Sequence, residues 1–277
     1  MHERTNRNLR FGIVTDIHCN PGSGSGNQTE AGLERCIERW TQEGAEFVIQ
    51  LGDLISREGP EAEKDLIAVR DMLARFPGKV HNVAGNHCLA VSPRRYREIM
   101  GLDSLYYTFA QRGTRFIVLD GMDVSVVNEP QTEADPHLLE YYRNVKQAHF
   151  YCGAIGTRQL TWLVRELDLA LKNEEPVIIL SHLPLLEETS DEIHGLLWNH
   201  QEVTDILCRY PNIRACLSGH YHSAAFAERW GIAFIVLPAF RNGDQRDEQC
   251  CLAAELSGHN IMISLTTGTT LFDLDQA

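Results

Sequence analysis

The chain is 277 residues long, with 43% hydrophobic and 23% charged residues and a formal net charge of −13 at pH 7. This length can bury a large hydrophobic core, and the composition excludes collagen, coiled coils and general disorder. The acidic balance argues against a nucleic-acid partner, because a duplex binder needs a basic surface to displace phosphate counterions. No repeat or linker divides the sequence, so we predict one domain over residues 1–277.

The cysteines and the N-terminal segment predict a cytoplasmic protein. The eight cysteines show no C-x-x-C pair and no regular framework, so we expect free thiols and no disulfides. We interpret the adjacent Cys250 and Cys251 as strand packing. The N-terminal segment is polar, unlike a signal peptide, and no stretch approaches the length of a membrane-spanning helix. A reducing compartment without membrane contact fits these features.

The first 120 residues alternate between short apolar runs and helical patterns. The predicted elements, in chain order, are a strand at 11–15, a glycine-rich turn at 21–27, a helix near 30–43, a strand at 47–51, a helix near 60–75, a strand at 79–84 and a hairpin of 106–110 with 115–119. Strand–helix–strand order favours parallel strands joined by right-handed crossovers.

A polar insert with scattered aromatic residues, 123–156, interrupts this pattern. Its tyrosines and Phe150 could cap the site and stack on a nucleobase, or the insert could be an ordinary solvated loop. Thr157 is then the predicted N-cap of a helix. The elements predicted after it are strands at 177–180, 213–217, 234–237, 252–256 and 261–265 and a helix at 201–209. Together they predict an α/β (α+β) fold, a four-layer αββα sandwich of two mixed sheets flanked by helices.

Five short segments place metal-ligating side chains just beyond the end of an apolar strand. They are Asp16-Ile17-His18, Gly52-Asp53, Gly85-Asn86-His87, Ser181-His182 and Gly219-His220-Tyr221-His222. Each alone could be a turn or a cap, but ligands of open α/β sheets bind beyond the carboxyl ends of the strands. Imidazole and carboxylate suit manganese, iron or zinc, and the absence of cysteine disfavours a structural zinc site.

In this order the motifs D-x-H, G-D, G-N-H, a strand-end His and G-H-x-H resemble those of the calcineurin-like metallophosphoesterases. The resemblance extends from Asp16 to His222 and implies two divalent metal ions, with manganese favoured over iron or zinc. The implied ligands are Asp16, His18 and His222 for the first ion, Asn86, His182 and His220 for the second, and Asp53 as the bridge between them.

The same resemblance implies hydrolysis of phosphodiester or phosphoanhydride bonds. Two divalent ions about 3.5–4 Å apart lower the pKa of bound water, so that a metal-bridging hydroxide can attack phosphorus at neutral pH. His87 is not an implied ligand. It would face the substrate phosphate and donate a proton to the leaving oxygen, or stabilise the transition state as an imidazolium.

Residues outside the metal motifs are similar to those of the manganese-dependent ADP-ribose/CDP-alcohol diphosphatases. They are Leu119-Asp120, the run 122–126, Gly153, Gly156, Gln159-Leu160, Trp162-Leu163 and Leu197-Trp198-Asn199. This similarity favours small nucleoside diphosphate-linked substrates. His18 departs from that subgroup, in which Gln commonly stands at this position.

Several alternatives remain open in the sequence. The runner-up activities are those of a cyclic-nucleotide phosphodiesterase and a phosphomonoesterase, and the non-enzyme alternative is an inactive scaffold. The complete ligand set and the G-N-H histidine weigh against the scaffold. We also predict substrate contacts from Asn199 and Arg241, with a surface salt bridge as the alternative for Arg241.

Overall fold

A computed structural model describes residues 8–22, 24–240, 251–258 and 260–274, including their side chains except those of 24–27. The helices in these ranges are α1 (Gly24–Gln42), α2 (Ala62–Leu73), α3 (Pro93–Met100), α4 (Asp135–Glu140), α5 (Thr157–Lys172) and α6 (His200–Leu207). The strands are β1 (Leu9–Val14), β2 (Phe47–Gln50), β3 (Lys79–Asn82), β4 (Tyr107–Gln111), β5 (Thr114–Val118), β6 (Val177–Leu180), β7 (Ile213–Ser218), β8 (Ala225–Arg229), β9 (Ile232–Val236), β10 (Leu252–Ser257), β11 (Asn260–Leu265) and β12 (Thr270–Asp273).

The strands form two mixed six-stranded sheets. The first has the order β12-β11-β10-β1-β2-β3, and the second has the order β4-β5-β6-β7-β9-β8. Strands β1, β2 and β3 are parallel, as are β5, β6, β7 and β9. Antiparallel strands complete both sheets. The parallel strands therefore bring their carboxyl ends to one edge of each sheet, as the strand–helix alternation predicts.

Alternating side chains of these strands separate an inner core from the outer layers. Phe47 and Ile49 of β2 belong to the inner core, whereas Val48 between them packs with the helices. Phe11 stacks on Phe47 at 4.9 Å between ring centroids and meets the edge of Phe116 of the second sheet at 5.7 Å. The two sheets thus pack face to face through aromatic and branched side chains.

Helices cover the outer face of both sheets. Trp40 of α1 lies against Gly12, where any Cβ would come within 2.6 Å of the indole. In the second sheet, Leu163 and Leu167 of α5 share an apolar cluster with Ile117 of β5. The four-layer αββα arrangement of two mixed sheets is confirmed.

Element boundaries differ from the predictions in several places. Helix α1 begins at Gly24, inside the predicted turn, and Thr157 is the first residue of α5, after Gly156 in the cap position. The polar residues at both points match turn and cap statistics, but helical geometry extends through them. Helix α3 and strands β8 and β12 were not predicted. The two strands lie at sheet edges with half-buried or exposed side chains, so their hydrophobic alternation is weak.

The prediction of free thiols throughout is wrong. A disulfide joins Cys36 of α1 to Cys251, the residue before β10, because α1 crosses this part of the first sheet. The nearby Trp40 indole donates to the Leu252 carbonyl at 2.8 Å. These two cysteines are 215 residues apart in the sequence, so no local spacing pattern predicts their pairing. The cytoplasmic location stays a prediction, without the support of the cysteine argument. Cys250 lies outside the described residues.

The insert contains secondary structure that its sequence did not reveal. It holds α4 and a π-helical turn at Tyr141–Val145. Its two ends meet in an antiparallel bridge between Val124 and Ala154, with both N–H···O distances at 2.9 Å. Among the described helices, none has the length and hydrophobicity needed to cross a bilayer.

Candidate metal centre

All predicted metal ligands follow the carboxyl ends of parallel strands β1, β2, β3, β6 and β7. The loops after β1 and β2 are hydrogen-bonded to each other. The Asp16 amide donates to the Gly52 carbonyl at 3.0 Å, and the His18 amide donates to the Asp53 carbonyl at 2.9 Å. Main-chain hydrogen bonds therefore hold two of the motifs side by side.

Five of the predicted ligands have left-handed backbone conformations. Their φ angles are 51° for Asp16, 46° for His18, 53° for Asp53, 66° for His220 and 63° for His222. A non-glycine residue in this region costs on the order of 1 kcal/mol or more. Such strain persists only where the surrounding structure imposes it, and it concentrates here on the side chains that converge.

The glycines of the motifs allow this convergence. A Cβ on Gly85 would lie 2.2 Å from Asp53 Oδ1, and one on Gly52 would lie 2.2 Å from His182 Nδ1. A Cβ on Gly219 would lie 2.0 Å from Thr15 Oγ1. Three of the five motifs therefore combine a ligating residue with a glycine that makes room for a ligand of another motif or for its support.

Asp16, His18 and His222 form a first cluster of donor atoms. The Thr15 hydroxyl and the His220 amide donate to Asp16 Oδ2 at 2.6 and 2.9 Å. The other carboxylate oxygen, Oδ1, is buried without a hydrogen-bond partner, 3.3 Å from His222 Nε2 and 3.7 Å from His18 Nε2. A buried acceptor between two imidazoles fits a divalent cation, which would satisfy it.

Asp53, His182 and His220 form a second cluster. The His182 Nε2 atom lies 3.3 Å from Asp53 Oδ2 and 3.1 Å from Asn86 Oδ1. Its Nδ1–H donates to the Leu51 carbonyl at 2.8 Å, which leaves Nε2 as the nitrogen with a lone pair. His220 donates through Nε2 to a main-chain carbonyl at 2.8 Å, which leaves Nδ1.

Asp53 lies between the two clusters. Its Oδ2 atom is 3.9 Å from His18 Nε2 and 3.3 Å from His182 Nε2, while Oδ1 accepts from the His87 amide at 2.9 Å. Burial by itself would raise the pKa of Asp53, but the neighbouring His182 and His18 outweigh it and lower the pKa to about 2. The shared carboxylate is therefore anionic, as a bridging ligand must be.

His87 lies beside the clusters at the edge of a cavity. Its ring meets that of His18 edge to face at 4.9 Å, and it forms a third possible donor group with His18 and Asp53. Burial lowers the pKa of His87 below its ordinary value. Directly after it, the buried Cys88 accepts through Sγ from the Leu54 amide at 3.4 Å, which anchors this loop.

The cavity above the two clusters, called the metal cavity below, has a volume of about 640 Å³. Its wall includes Val126 and Phe150 from the insert, together with Ile193 from the loop after β6. Phe150 is 69% exposed and Ile193 is 73% exposed. The sequence alone does not identify Ile193 and the neighbouring His194 as wall residues, because no local pattern in the 190–196 loop distinguishes them.

Of the two predicted substrate contacts, only Asn199 lies in the described residues. Asn199 does not line the metal cavity. It is buried, and its side-chain amide accepts from the Ile155 amide at 2.9 Å and donates to the Ile155 carbonyl at 2.8 Å. This contact fixes the end of the insert to the start of α6. Arg241 lies outside the described residues.

The chain is similar to proteins of known activity and of known structure. The chain is 30% identical to the manganese-dependent ADP-ribose/CDP-alcohol diphosphatase of Arabidopsis thaliana, with 70% of each chain covered. It is 28% identical to the human protein of that name, with 71% of this chain and 69% of the human protein covered. A dimetal phosphatase from Danio rerio superposes with a TM-score of 0.79 at 23% identity, over 92% of this chain and 95% of that one, and shares its fold.

The profile of the calcineurin-like phosphoesterases matches residues 9–224, which include both donor clusters and His87. The two donor clusters at the strand ends fit the chemistry of this family, because they can hold the two ions of a dimetal hydrolase. The chain therefore belongs to the calcineurin-like phosphoesterase family and is a metal-dependent hydrolase of phosphoric ester or anhydride bonds.

Proposed function

We propose that this enzyme hydrolyses the phosphoanhydride bond of nucleoside diphosphate-linked small molecules, of the ADP-ribose or CDP-alcohol type, with two manganese ions. The observation that carries the proposal is the pairing of two donor clusters around Asp53 with a metal cavity of about 640 Å³. A volume of this order accommodates a nucleotide-sized molecule. The curated relatives with this activity in their names agree with that size.

The positions of the candidate residues assign them to metal binding or to proton donation. Asp16, His18 and His222 would hold one ion, Asn86, His182 and His220 the other, and Asp53 both. When bound, the ions would supply Lewis-acid stabilisation of the phosphoryl oxygens and activation of water. The His87 side chain would donate a proton to the oxygen of the departing group.

The cavity wall favours a substrate larger than a phosphomonoester. Apolar side chains such as Val126, Phe150 and Ile193 offer contact area to a nucleobase beyond the reacting phosphates. A simple phosphomonoester would leave this wall unused.

Hydrolysis of a panel of substrates by the manganese-loaded enzyme tests the proposal. We expect turnover of ADP-ribose and CDP-choline to exceed that of cyclic AMP and 4-nitrophenyl phosphate, with two metal ions bound per chain. Preference for cyclic AMP or for the monoester would overturn the substrate proposal. Parallel loading with zinc or iron tests the choice of manganese, which fails if either metal gives higher turnover.

A further inference from the structure

A second cavity, called the polar cavity below, lies beside the metal cavity and has a volume of about 650 Å³. Val127 lines both cavities. Two chain segments also pass from one to the other. Leu89 lines the metal cavity and Ser92 the polar cavity, and the same change occurs between Val126 and Asn128. The two cavities are therefore neighbours along the side of the metal centre to which His87 belongs.

The walls of the two cavities have opposite chemistry. The described lining of the metal cavity includes no lysine or arginine, and beyond the candidate ligands it is mostly apolar. The polar cavity combines cationic, anionic and amide side chains with one aromatic ring. Its main polar residues are Arg94, Arg97, Arg158, Asp120, Asp123 and Tyr106.

Two of the four carboxylates that line the polar cavity are held in place by hydrogen bonds that they accept. Asp120 is 3% exposed, and its Oδ1 accepts from the Met122 amide at 3.0 Å. Asp123 accepts through Oδ2 from the Gly156 amide at 3.0 Å and from Gln159 Nε2 at 3.1 Å. These bonds tie both groups to the end of β5 and to the first turn of α5.

The arginines differ in how far the protein already uses them. Arg94 pairs with Glu98 at 3.0 Å, and Arg97 donates to the Asp103 carbonyl at 2.9 Å. Arg158 extends from the first turn of α5 into the polar cavity, where it makes a side-chain hydrogen bond with Tyr106 and lies near Asp123, and its exposed guanidinium keeps further N–H groups for a ligand. It is therefore the cation best placed to donate to a ligand.

We propose that the polar cavity binds the sugar of a nucleoside diphosphate sugar, while the metal cavity holds the reacting phosphates. Vicinal hydroxyls both donate and accept, so they can pair with fixed carboxylates and a guanidinium at once. A quaternary ammonium group neither donates nor accepts hydrogen bonds, so it would leave the three arginines and the four carboxylates of the polar cavity without a hydrogen-bond partner in the ligand. The inference rests on the proposed function and narrows it to substrates of the ADP-ribose type over those of the CDP-choline type.

Substitutions of Arg158 in the full-length enzyme test this inference. Metal-loaded wild type, Arg158→Ala and Arg158→Glu are assayed with ADP-ribose, CDP-choline and thymidine 5′-(4-nitrophenyl) phosphate. ADP-ribose and CDP-choline carry the same diphosphate, so CDP-choline corrects for simple attraction between Arg158 and phosphate. The matched control is the same pair of substitutions at Arg165, an exposed arginine two turns along α5 and outside both cavities.

We expect kcat/KM for ADP-ribose to fall at least about 10-fold in Arg158→Ala, mainly through KM, relative to kcat/KM for the other two substrates. Arg158→Glu should lower the ratio of kcat/KM for ADP-ribose to kcat/KM for CDP-choline further, because it places a carboxylate beside the cationic choline group. The Arg165 variants should keep the wild-type ratio.

Equal losses on all three substrates would overturn the inference, as would an unchanged ratio of kcat/KM for ADP-ribose to kcat/KM for CDP-choline in both Arg158 variants. In either case, turnover of ADP-ribose by the wild type would still support the proposed function. Failure of the proposed function has a different signature, because wild type would then cleave the nitrophenyl ester and neither diphosphate-linked substrate. Thermal unfolding of each variant shows whether a loss reflects the fold.

Discussion

The metal centre and the cavity walls beside it are built in different ways. Every candidate ligand sits within four residues of the end of a parallel strand, and its neighbours include a glycine or a main-chain hydrogen bond that holds it. The cavity walls come from residues such as Val127, Phe150 and Ile193, in segments without a common pattern. Metal binding needs particular side chains, so its residues form motifs that can be recognised in the sequence. A cavity wall of common apolar side chains forms no such motif.

The largest effect should follow the loss of the shared carboxylate. Asp53→Asn replaces an anion between two donor clusters with a neutral amide, so both ions should bind more weakly. We expect activity to fall by about 10³-fold or more, since even contacts outside the ligand set contribute 10–100-fold to metal affinity or activity. Metal content and turnover, measured together, should both fall. Full metal content with near-normal turnover would show that Asp53 does not bridge.

A smaller loss should follow removal of His87, which adjoins the metal centre. His87→Ala should keep both metal ions and lose about 10²–10⁴-fold in rate, the usual range for general acid catalysis. The loss should be smaller for nitrophenolate, which departs without a proton, than for an alkoxide leaving group. Equal losses for all leaving groups would exclude proton donation and leave electrostatic stabilisation. Metal loss in parallel with activity would instead make His87 a structural residue.

Phe150 tests whether the insert governs substrate preference and not bond cleavage. Phe150→Ala should raise KM for ADP-ribose by about 3- to 10-fold, the scale of one aromatic stacking contact, with little change in kcat. Hydrolysis of a small aryl phosphodiester should change less. The matched control is Trp230→Ala, which removes another exposed aromatic ring outside the metal cavity. Equal effects of the two substitutions on ADP-ribose would contradict a role for the insert.

The smallest effect concerns Asp120 in the wall of the polar cavity, whose protonation makes the stability of the protein depend on pH. Burial, followed by the charge of Asp123, raises the pKa of Asp120 to about 7. Because the native state favours the protonated form, this contribution to stability is complete below about pH 4 and disappears as the pH rises through 7.

Asp120→Asn removes this titration while keeping an acceptor for the Met122 amide. The Tm of the variant minus that of wild type should therefore become more positive from pH 5 to pH 8, by about 2 °C or more. The exposed Asp205→Asn corrects for loss of a carboxylate. A difference that is flat with pH, or that becomes more negative, would show that Asp120 ionises freely in the native state.

The local sequence predicts most of the sheet strands and all the metal motifs. Strand β6 is found at its predicted residues, and β1, β2 and β3 deviate by one or two residues, because their apolar runs are short, continuous and bounded by polar residues. The spacing of His220 and His222 predicts that both imidazoles reach one point, because alternate residues of an extended segment share a face. In the structure both residues have left-handed backbone conformations, and His220 belongs to the second cluster whereas His222 belongs to the first.

The sequence alone determined the ligand types, their place at strand ends and the layered α/β architecture. These depend on periodicity and on a few residues whose chemistry has no common substitute. Only the tertiary structure decided that Cys36 meets Cys251, that Asn199 fixes the insert, and that Val127 lines both an apolar cavity and a polar one. Each of these joins residues far apart in the chain, and such a contact is chosen by packing and leaves no local pattern to read.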